Sequence, residues 1–428
     1  MSKMKASAVF TPGSFPTATY VERPERNYEQ LLQDSLEVEG QVISVSGPSK
    51  SGKTVLVEKV VGQDNLITVT GAGMESPDSV WDTVLDFLDV PDERSTATGV
   101  QGGVTVGAEA KGKAGVPLVA QGELTGSGEL SGSASREKAE TSHRRGLSQV
   151  IDLLSKSDFV LLIDDFHYMP RAVQSEVSKQ MKEAVRRGVK IITASVPHRS
   201  DDVVRSNPEL RGRVVAIDLD YWSAAYLRKI ADLRFGELNV SLNEASLNDF
   251  ATEASGSPQL MQAICLNACF DLGIRERMED GTNLSPSKSD RRSIFNRTTS
   301  ATDFRSLVDV LDKGPRTRGT ERKTFSFNDS TEGDVYRCVL KSIAIDPPAL
   351  SFSYSALQDR IEEICSGDQP VGSSVIRSCE QISTLASDRF PKERVIEWDE
   401  SKMILDIPDP YFLFYLRWSD RLMEPEDK

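Results

Sequence analysis

The sequence has no apolar run approaching the roughly 18 residues a membrane-crossing helix requires, which excludes an ordinary helical membrane protein. No apolar stretch follows Met1-Ser2-Lys3-Met4-Lys5, so no secretory leader is expected and the chain is expected to work in the cytoplasm. Cysteine is scarce and unpaired: Cys265, Cys269, Cys338, Cys365 and Cys379 are odd in number and never take the C-x-x-C spacing of a zinc or redox centre. Reduced thiols follow, with Cys265 and Cys269 packed on one helix. His143, His167 and His198 have no catalytic spacing to a nucleophile, so no second hydrolytic centre is expected. Positive charge is also in deficit. Lysine and arginine number 51 against 65 acidic residues, a formal charge of -14, which argues against broad attraction to nucleic acid.

At 428 residues the chain exceeds one ordinary core of about 100 to 200 residues, and three domains are expected, at 1–220, 221–285 and 286–428. The first part alternates strands and helices. Gln41 to Ser46 reads as a strand, Lys53 to Val61 as a helix, and Asn65 to Thr70 as a strand. The next helix, Ser79 to Leu88, would bury Val80, Val84, Phe87 and Leu88. Between about 96 and 135 small residues take over, with about a third of the chain's 29 glycines, and alternation such as Val104, Val106, Ala108 and Ala110 suggests a glycine-rich hairpin insert. It could be a surface excursion, an oligomerisation element or a membrane-touching ribbon. Arg136 to Ser155 and Ala172 to Arg187 then read as helices. Phe159 to Ile163, Val189 to Ala194 and Val214 to Leu219 read as strands, completing a parallel sheet with helices on both faces.

Tyr221 to about Gly273 reads as a helical lid, with Gly256-Ser257-Pro258 opening the helix Gln259 to Phe270. The stretch Ser285 to Lys323 is rich in lysine and arginine, and reads as a solvated basic linker or a local basic face. Helices at Asp334–Ala344, Ser355–Ile364 and Ser373–Ala386, then a hairpin of Arg394–Trp398 and Lys402–Ile407, follow the plan of a winged helix. The aromatic-rich run Asp409 to Trp418 reads as a core helix, with a docking surface as the alternative.

The strongest motif is Gly47-Pro48-Ser49-Lys50-Ser51-Gly52-Lys53-Thr54, which matches G-x-x-x-x-G-K-[ST] between a strand and a helix. Its glycines let the backbone curl so that successive N–H groups, including those of Ser49 and Ser51, point at phosphates. Lys53 would hold the β and γ phosphates of ATP, and the Thr54 hydroxyl would ligate Mg²⁺. The apolar strand Val160 to Ile163 ends in Asp164, a Mg²⁺ ligand, and Asp165, a candidate base for the attacking water. Thr193 and Ser195 end another strand, as ordinary strand-end hydroxyls or, as a resemblance to the additional-strand class of P-loop ATPases implies, where a polar residue senses the γ-phosphate. Arg199, Arg205, Arg211 and Arg213 are candidates for an arginine reaching a neighbour's nucleotide. Leu66 to Thr70 intervenes between loop and acidic strand, leaving room for the acidic strand to stand one place from the loop's strand.

With these pieces the chain resembles bacterial ATPases of the STAND and origin-recognition branch of AAA+ over most of its length. The matching residues are Tyr20-Val21-Glu22-Arg23, Gly47 to Thr54, Leu161 to Phe166, Gly256-Ser257-Pro258 and the closing winged helix. The resemblance implies that Tyr20 and Val21 contact adenine and that the Pro258 helix reports nucleotide state. Asp165 stands where AAA+ motors generally carry glutamate, as in STAND switches, and implies slow hydrolysis. A fused effector and a repeat sensor, usual in STAND proteins, are not visible. The leading expectation is an ATP-driven switch that self-assembles to control a separate effector protein, in antiviral defence. Alternatives are a DNA-associated ATPase reading with Ser373 to Ala386, and a membrane-acting assembly using the glycine-rich hairpin.

Overall fold

The computed structural model describes residues 4–16, 20–90, 146–196, 207–316, 322–390 and 394–423. The glycine-rich insert, Arg199 and Arg205 lie outside the described residues. Short runs rich in valine, isoleucine and leucine make the central sheet: β1 (Val42–Ser46), β2 (Leu66–Thr70), β3 (Val160–Asp164), β4 (Lys190–Ser195) and β5 (Val214–Asp218). All pairings are parallel, in the order β2-β3-β4-β1-β5. The acidic strand β3 therefore stands one place from the loop strand β1, as expected, with β4 between them and β2 outside.

Successive side chains of a strand face opposite ways, and both faces here are covered. A short helix α1 (Ala6–Val9) precedes the sheet layers. Helices α2 (Tyr28–Glu37) and α3 (Lys53–Val61) lay Leu32, Leu56 and Val57 on Ile43, Val45, Leu162 and Ile192. Helices α4 (Pro77–Phe87), α5 (Leu147–Leu154) and α6 (Arg171–Arg186) cover Val42, Ile67, Leu161, Ile163 and Ile191. The face of α4 is turned from the one expected: Val80, Trp81, Val84 and Leu85 are buried, while Phe87 is 44% exposed. The indole of Trp81 donates to Gln180 of α6 at 2.6 Å, and holding that donor inward rotates the helix.

Helices α7 (Ala224–Glu237), α8 (Glu244–Glu253) and α9 (Pro258–Asp271) occupy the segment expected as a lid, and each begins on a side-chain cap, Ser223, Asn243 and Ser257. Strands β6 (Val240–Leu242) and β7 (Thr282–Leu284) pair beside them. The expected basic linker is instead folded into α10 (Lys288–Thr299) and α11 (Arg305–Lys313). A Ser287–Asp290 capping box starts α10, and burial of Ile294, Phe295, Leu307, Val308 and Leu311 anchors both helices. Several of its cations are held by carboxylates: Arg291 by Asp249 and Arg292 by Asp420 at 2.7 Å, Arg322 by Asp334 at 2.5 Å, while Lys288, Arg305 and Lys313 are exposed.

After a small hairpin, β8 (Phe325–Ser326) and β9 (Glu332–Gly333), come α12 (Val335–Ala344), β10 (Ser351–Ser353), α13 (Tyr354–Ile364), α14 (Gly372–Arg389), β11 (Glu397–Asp399), β12 (Ile404–Asp406) and α15 (Pro410–Trp418). The three last strands form an antiparallel sheet in the order β10-β12-β11. Helix α15 is core, with Tyr411 to Leu416 all buried. One continuous apolar core runs through the lid, the C-terminal unit and the N-terminal Ala6, Val9 and Phe10. Phe10 meets Phe235 of α7 with ring centres 5.0 Å apart, and Phe295 of α10 meets Phe250 of α8 at 5.7 Å and Phe414 of α15 at 5.8 Å. Cys265 and Cys269 are fully buried in that core.

Candidate nucleotide-binding site

Strand β1 is buried along its whole length and ends at Gly47, where the chain turns against Leu219. A Cβ on Gly47 would lie 2.8 Å from the Leu219 Cβ and 2.9 Å from its carbonyl oxygen, so only glycine fits. Gly52 takes φ +99° at the N-cap of α3, which aims the helix N-terminus back into the loop. The Lys53 ammonium donates to the carbonyls of Gly47 and Pro48, each at 2.9 Å. Burial pulls its pKa below that of an ordinary lysine, opposed by Asp164 and Asp165.

Opposite the loop, the Thr54 hydroxyl donates to Asp164 Oδ2 at 2.9 Å, and the Asp165 amide donates to Asp164 Oδ1 at 2.9 Å. Asp165 sits at φ +54°, just beyond β3, held from behind by Gly71. A Cβ on Gly71 would fall 2.6 Å from the Asp165 carbonyl oxygen, so the close backbone approach depends on glycine there too. Burial raises the Asp165 pKa, the Asp164 charge raises it further, and Lys53 counteracts both. Among the described residues no group of three or more His, Cys, Asp or Glu side chains could hold a metal. A hydroxyl beside a carboxylate is an oxygen donor pair suited to Mg²⁺, which takes one or two protein ligands and fills its shell with phosphate oxygens and water.

A cavity of about 460 Å³ runs from this loop to the N-terminal segment. Tyr20, Val21, Ser49, Ser51, Gly52, Lys53, Thr54, Asp164, Asp165 and Pro258 all line it, so most of the residues expected at the site share one space. Its far end is closed by residues 11–16, where the Thr11 amide donates to Gln262 of α9 at 3.0 Å. Thr193 is different. It is 1% exposed within β4, in register with Ser44 and Ile163, and lines neither this cavity nor the second one beside it. Arg211 and Arg213 are exposed ahead of β5, and the Arg213 carbonyl accepts from the Val42 amide at the start of β1. They therefore sit at the end of the sheet opposite their own phosphate loop.

Several contacts at the loop were not foreseen. Lys50 donates to both carboxylate oxygens of Asp409 at 2.8 and 2.7 Å, and its ammonium lies 4.3 Å from the Tyr411 ring centre. Asp409 also caps α15 by accepting from the Tyr411 amide at 2.9 Å. The Trp222 indole donates to the Ser51 carbonyl at 2.8 Å, and Ser257 donates to the Lys50 carbonyl at 3.4 Å. Arg23 is stacked between Trp222 and Tyr28, 4.6 and 4.8 Å from their ring centres. Asp409-Pro410 does signal a helix start in the sequence, but nothing local identifies its partner in the loop.

Residues 37–201 match the family described as an AAA domain. No curated protein matches the chain in sequence. A Walker-type ATPase of Pyrococcus abyssi is similar over 96% of this chain and 99% of its own, with a TM-score of 0.54 and 13% identity. The Aeropyrum pernix ORC2 protein in ADPNP–ADP complexes is similar over 99% of this chain and 98% of its own, with a TM-score of 0.50 and 12% identity. At such identities the likeness is one of fold, and that fold is the parallel-sheet P-loop NTPase fold of AAA+ proteins.

Proposed function

We propose that the chain binds ATP with Mg²⁺, hydrolyses it slowly, and uses the bound state to change how its C-terminal unit is held. The observation that carries this reading is the bidentate ion pair between Lys50, inside the phosphate loop, and Asp409, at the start of α15. A loop that must rearrange around phosphates is tied directly to the C-terminal unit, and Trp222 and Ser257 tie it to the lid.

In this mechanism the loop amides from Gly47 to Thr54 and the N-terminus of α3 receive the phosphates. Lys53 exchanges its two carbonyl partners for the β and γ phosphates, and Thr54 with Asp164 holds Mg²⁺. The ion, when bound, offsets charge on the phosphate oxygens. Asp165 takes a proton from the attacking water as its oxygen bonds to the γ-phosphorus and the bond to ADP breaks. Its carboxylate is one methylene shorter than glutamate, which supports slow turnover and a long-lived ATP state.

The C-terminal helices with their small sheet support a winged-helix reading, serving protein contact rather than DNA. Ile404 and Asp406 of β12 and Lys402 in the turn before it line a cavity shared with the phosphate loop, so this hairpin is engaged by the ATPase in the present state. The partner proposed is a second copy of the chain together with a separate effector. The resemblance to STAND switches is what points to antiviral defence. Light scattering with ATP and Mg²⁺, with ADP and without nucleotide tests the switch, alongside phosphate release. ATP should drive a discrete assembly that Lys53→Ala abolishes and Asp165→Ala prolongs. A mass independent of nucleotide would remove the assembly step.

A further inference from the structure

Beside the nucleotide cavity lies a second one of about 480 Å³, and the two share Ser49, Lys53 and Asp165. If nucleotide fills the first, its terminal phosphate lies at this shared wall, facing the second. The opposite wall of the second cavity comes from the C-terminal unit and carries Arg394. Three arginines line the two cavities among the described residues. Arg23 is stacked and bonded to the Asp220 carbonyl, and Arg234 is 1% exposed and donates to the Val9 carbonyl. Of the three, only Arg394 lines the second cavity, where it comes from the C-terminal unit.

Its guanidinium lies 5.8 Å from the centre of the Tyr168 ring, and Tyr168 belongs to the turn whose amide donates to the Asp165 carbonyl at 2.9 Å. Arg394 is thus already docked against the turn that displays the candidate base. Its carboxylate partner, Glu397, is 3.5 Å away and both side chains are more than a third accessible or close to it, at 35% and 44%. That weak tie leaves the guanidinium available. The compartment also holds Asp406 and Asp409, Asp409 being committed to Lys50, and Lys402, which pairs with Asp399 at 3.5 Å. A γ-phosphate entering among these carboxylates needs a cation from that side, and the planar fork of arginine suits phosphate oxygens.

Building on the ATP reading above, we propose that Arg394 is a ligand of the terminal phosphate, supplied by the C-terminal unit of the same chain, and that it makes the site discriminate ATP from ADP. The test is calorimetric titration of the full chain with Mg²⁺-ADPNP and with Mg²⁺-ADP, comparing wild type, Arg394→Ala, Arg394→Lys and, as a surface-charge control, Lys323→Ala. Arg394→Ala should weaken ADPNP about tenfold or more while changing ADP by less than about twofold. Arg394→Lys should fall between, since it keeps the charge and loses the fork, and Lys323→Ala should match wild type. Retained ADP binding reports that each variant is folded. Equal loss of both nucleotides, or an unchanged ratio between them, overturns the assignment while leaving the ATP reading intact. Wild type binding neither nucleotide overturns both.

Discussion

At the scale of single residues, Asp165 is in an environment that works against its charge. Burial and the neighbouring Asp164 raise its pKa, so the folded protein holds a proton there over a pH range where the unfolded chain has lost it. Stability therefore falls as pH rises from the ordinary carboxylate pKa through the raised one, because the native state binds more protons in that window. Two outcomes follow from one substitution. Asp165→Asn should lower phosphate release by about a hundredfold or more, and should raise the melting temperature at neutral pH. A melting temperature that falls on substitution would show that the carboxylate is stabilising and that its pKa is not raised. The loop and the acid pair were legible in the sequence because Gly47 to Thr54 and Asp164 to Asp165 are contiguous and their chemistry depends on local backbone. Arg394 and Asp409 were not, since each meets the site across more than two hundred residues of chain, and neither has a local pattern naming its partner.

At the scale of elements, most helices and strands were legible because caps and apolar periods agree. Ser257-Pro258, Asp334 and Asp409-Pro410 each open a helix where a capping side chain accepts from the first turn. The misreadings have physical causes. The stretch Ser285 to Lys323 reads as a linker because cations dominate its composition, whereas the fold of residues 285–313 within it is set by a few apolar residues and by acidic partners far away in sequence. Phe87 shares the helical period of α4 but is its last residue, beyond Trp81, whose indole is held inward by Gln180 of α6. The same long-range pairing joins α8 of the lid to α15. Arg417 donates to both oxygens of Glu253 at 2.9 and 2.7 Å, the Trp418 indole donates to Glu253 at 2.7 Å, and both charged side chains are less than 10% exposed. Removing one partner of a buried pair leaves the other charge desolvated. Glu253→Ala should therefore cost about 3 kcal/mol in urea unfolding, toward the lower end for such pairs because Asp346 still meets Arg417. A cost below about 0.5 kcal/mol would mean that Arg417 simply turns to water.

At the scale of the whole molecule, two kinds of contact divide the work. The sheet has apolar layers on both faces, and a separate continuous core unites lid, C-terminal unit and N-terminal segment. Between these bodies the contacts at the phosphate loop are polar: Lys50 with Asp409, Trp222 with Ser51, and Ser257 with Lys50. Apolar packing holds each body rigid, while polar ties of modest net strength can be exchanged for contacts to phosphate. A ligand moves such an equilibrium only by its differential interaction with the two states, and the loop is where that difference would arise. This arrangement was half legible: the sheet, lid and C-terminal helices could be read from pattern, but their joining through one loop lysine could not. It leads to a prediction that separates coupling from stability. Asp409→Asn keeps a good capping side chain for α15 and removes the charge that holds Lys50. In hydrogen exchange, ADPNP should change the protection of residues 394–418 in the wild type and much less in Asp409→Asn, while protection of 47–61 responds in both. If the C-terminal residues respond equally in both proteins, the ion pair is a passenger and the signal travels through Trp222 and the lid instead.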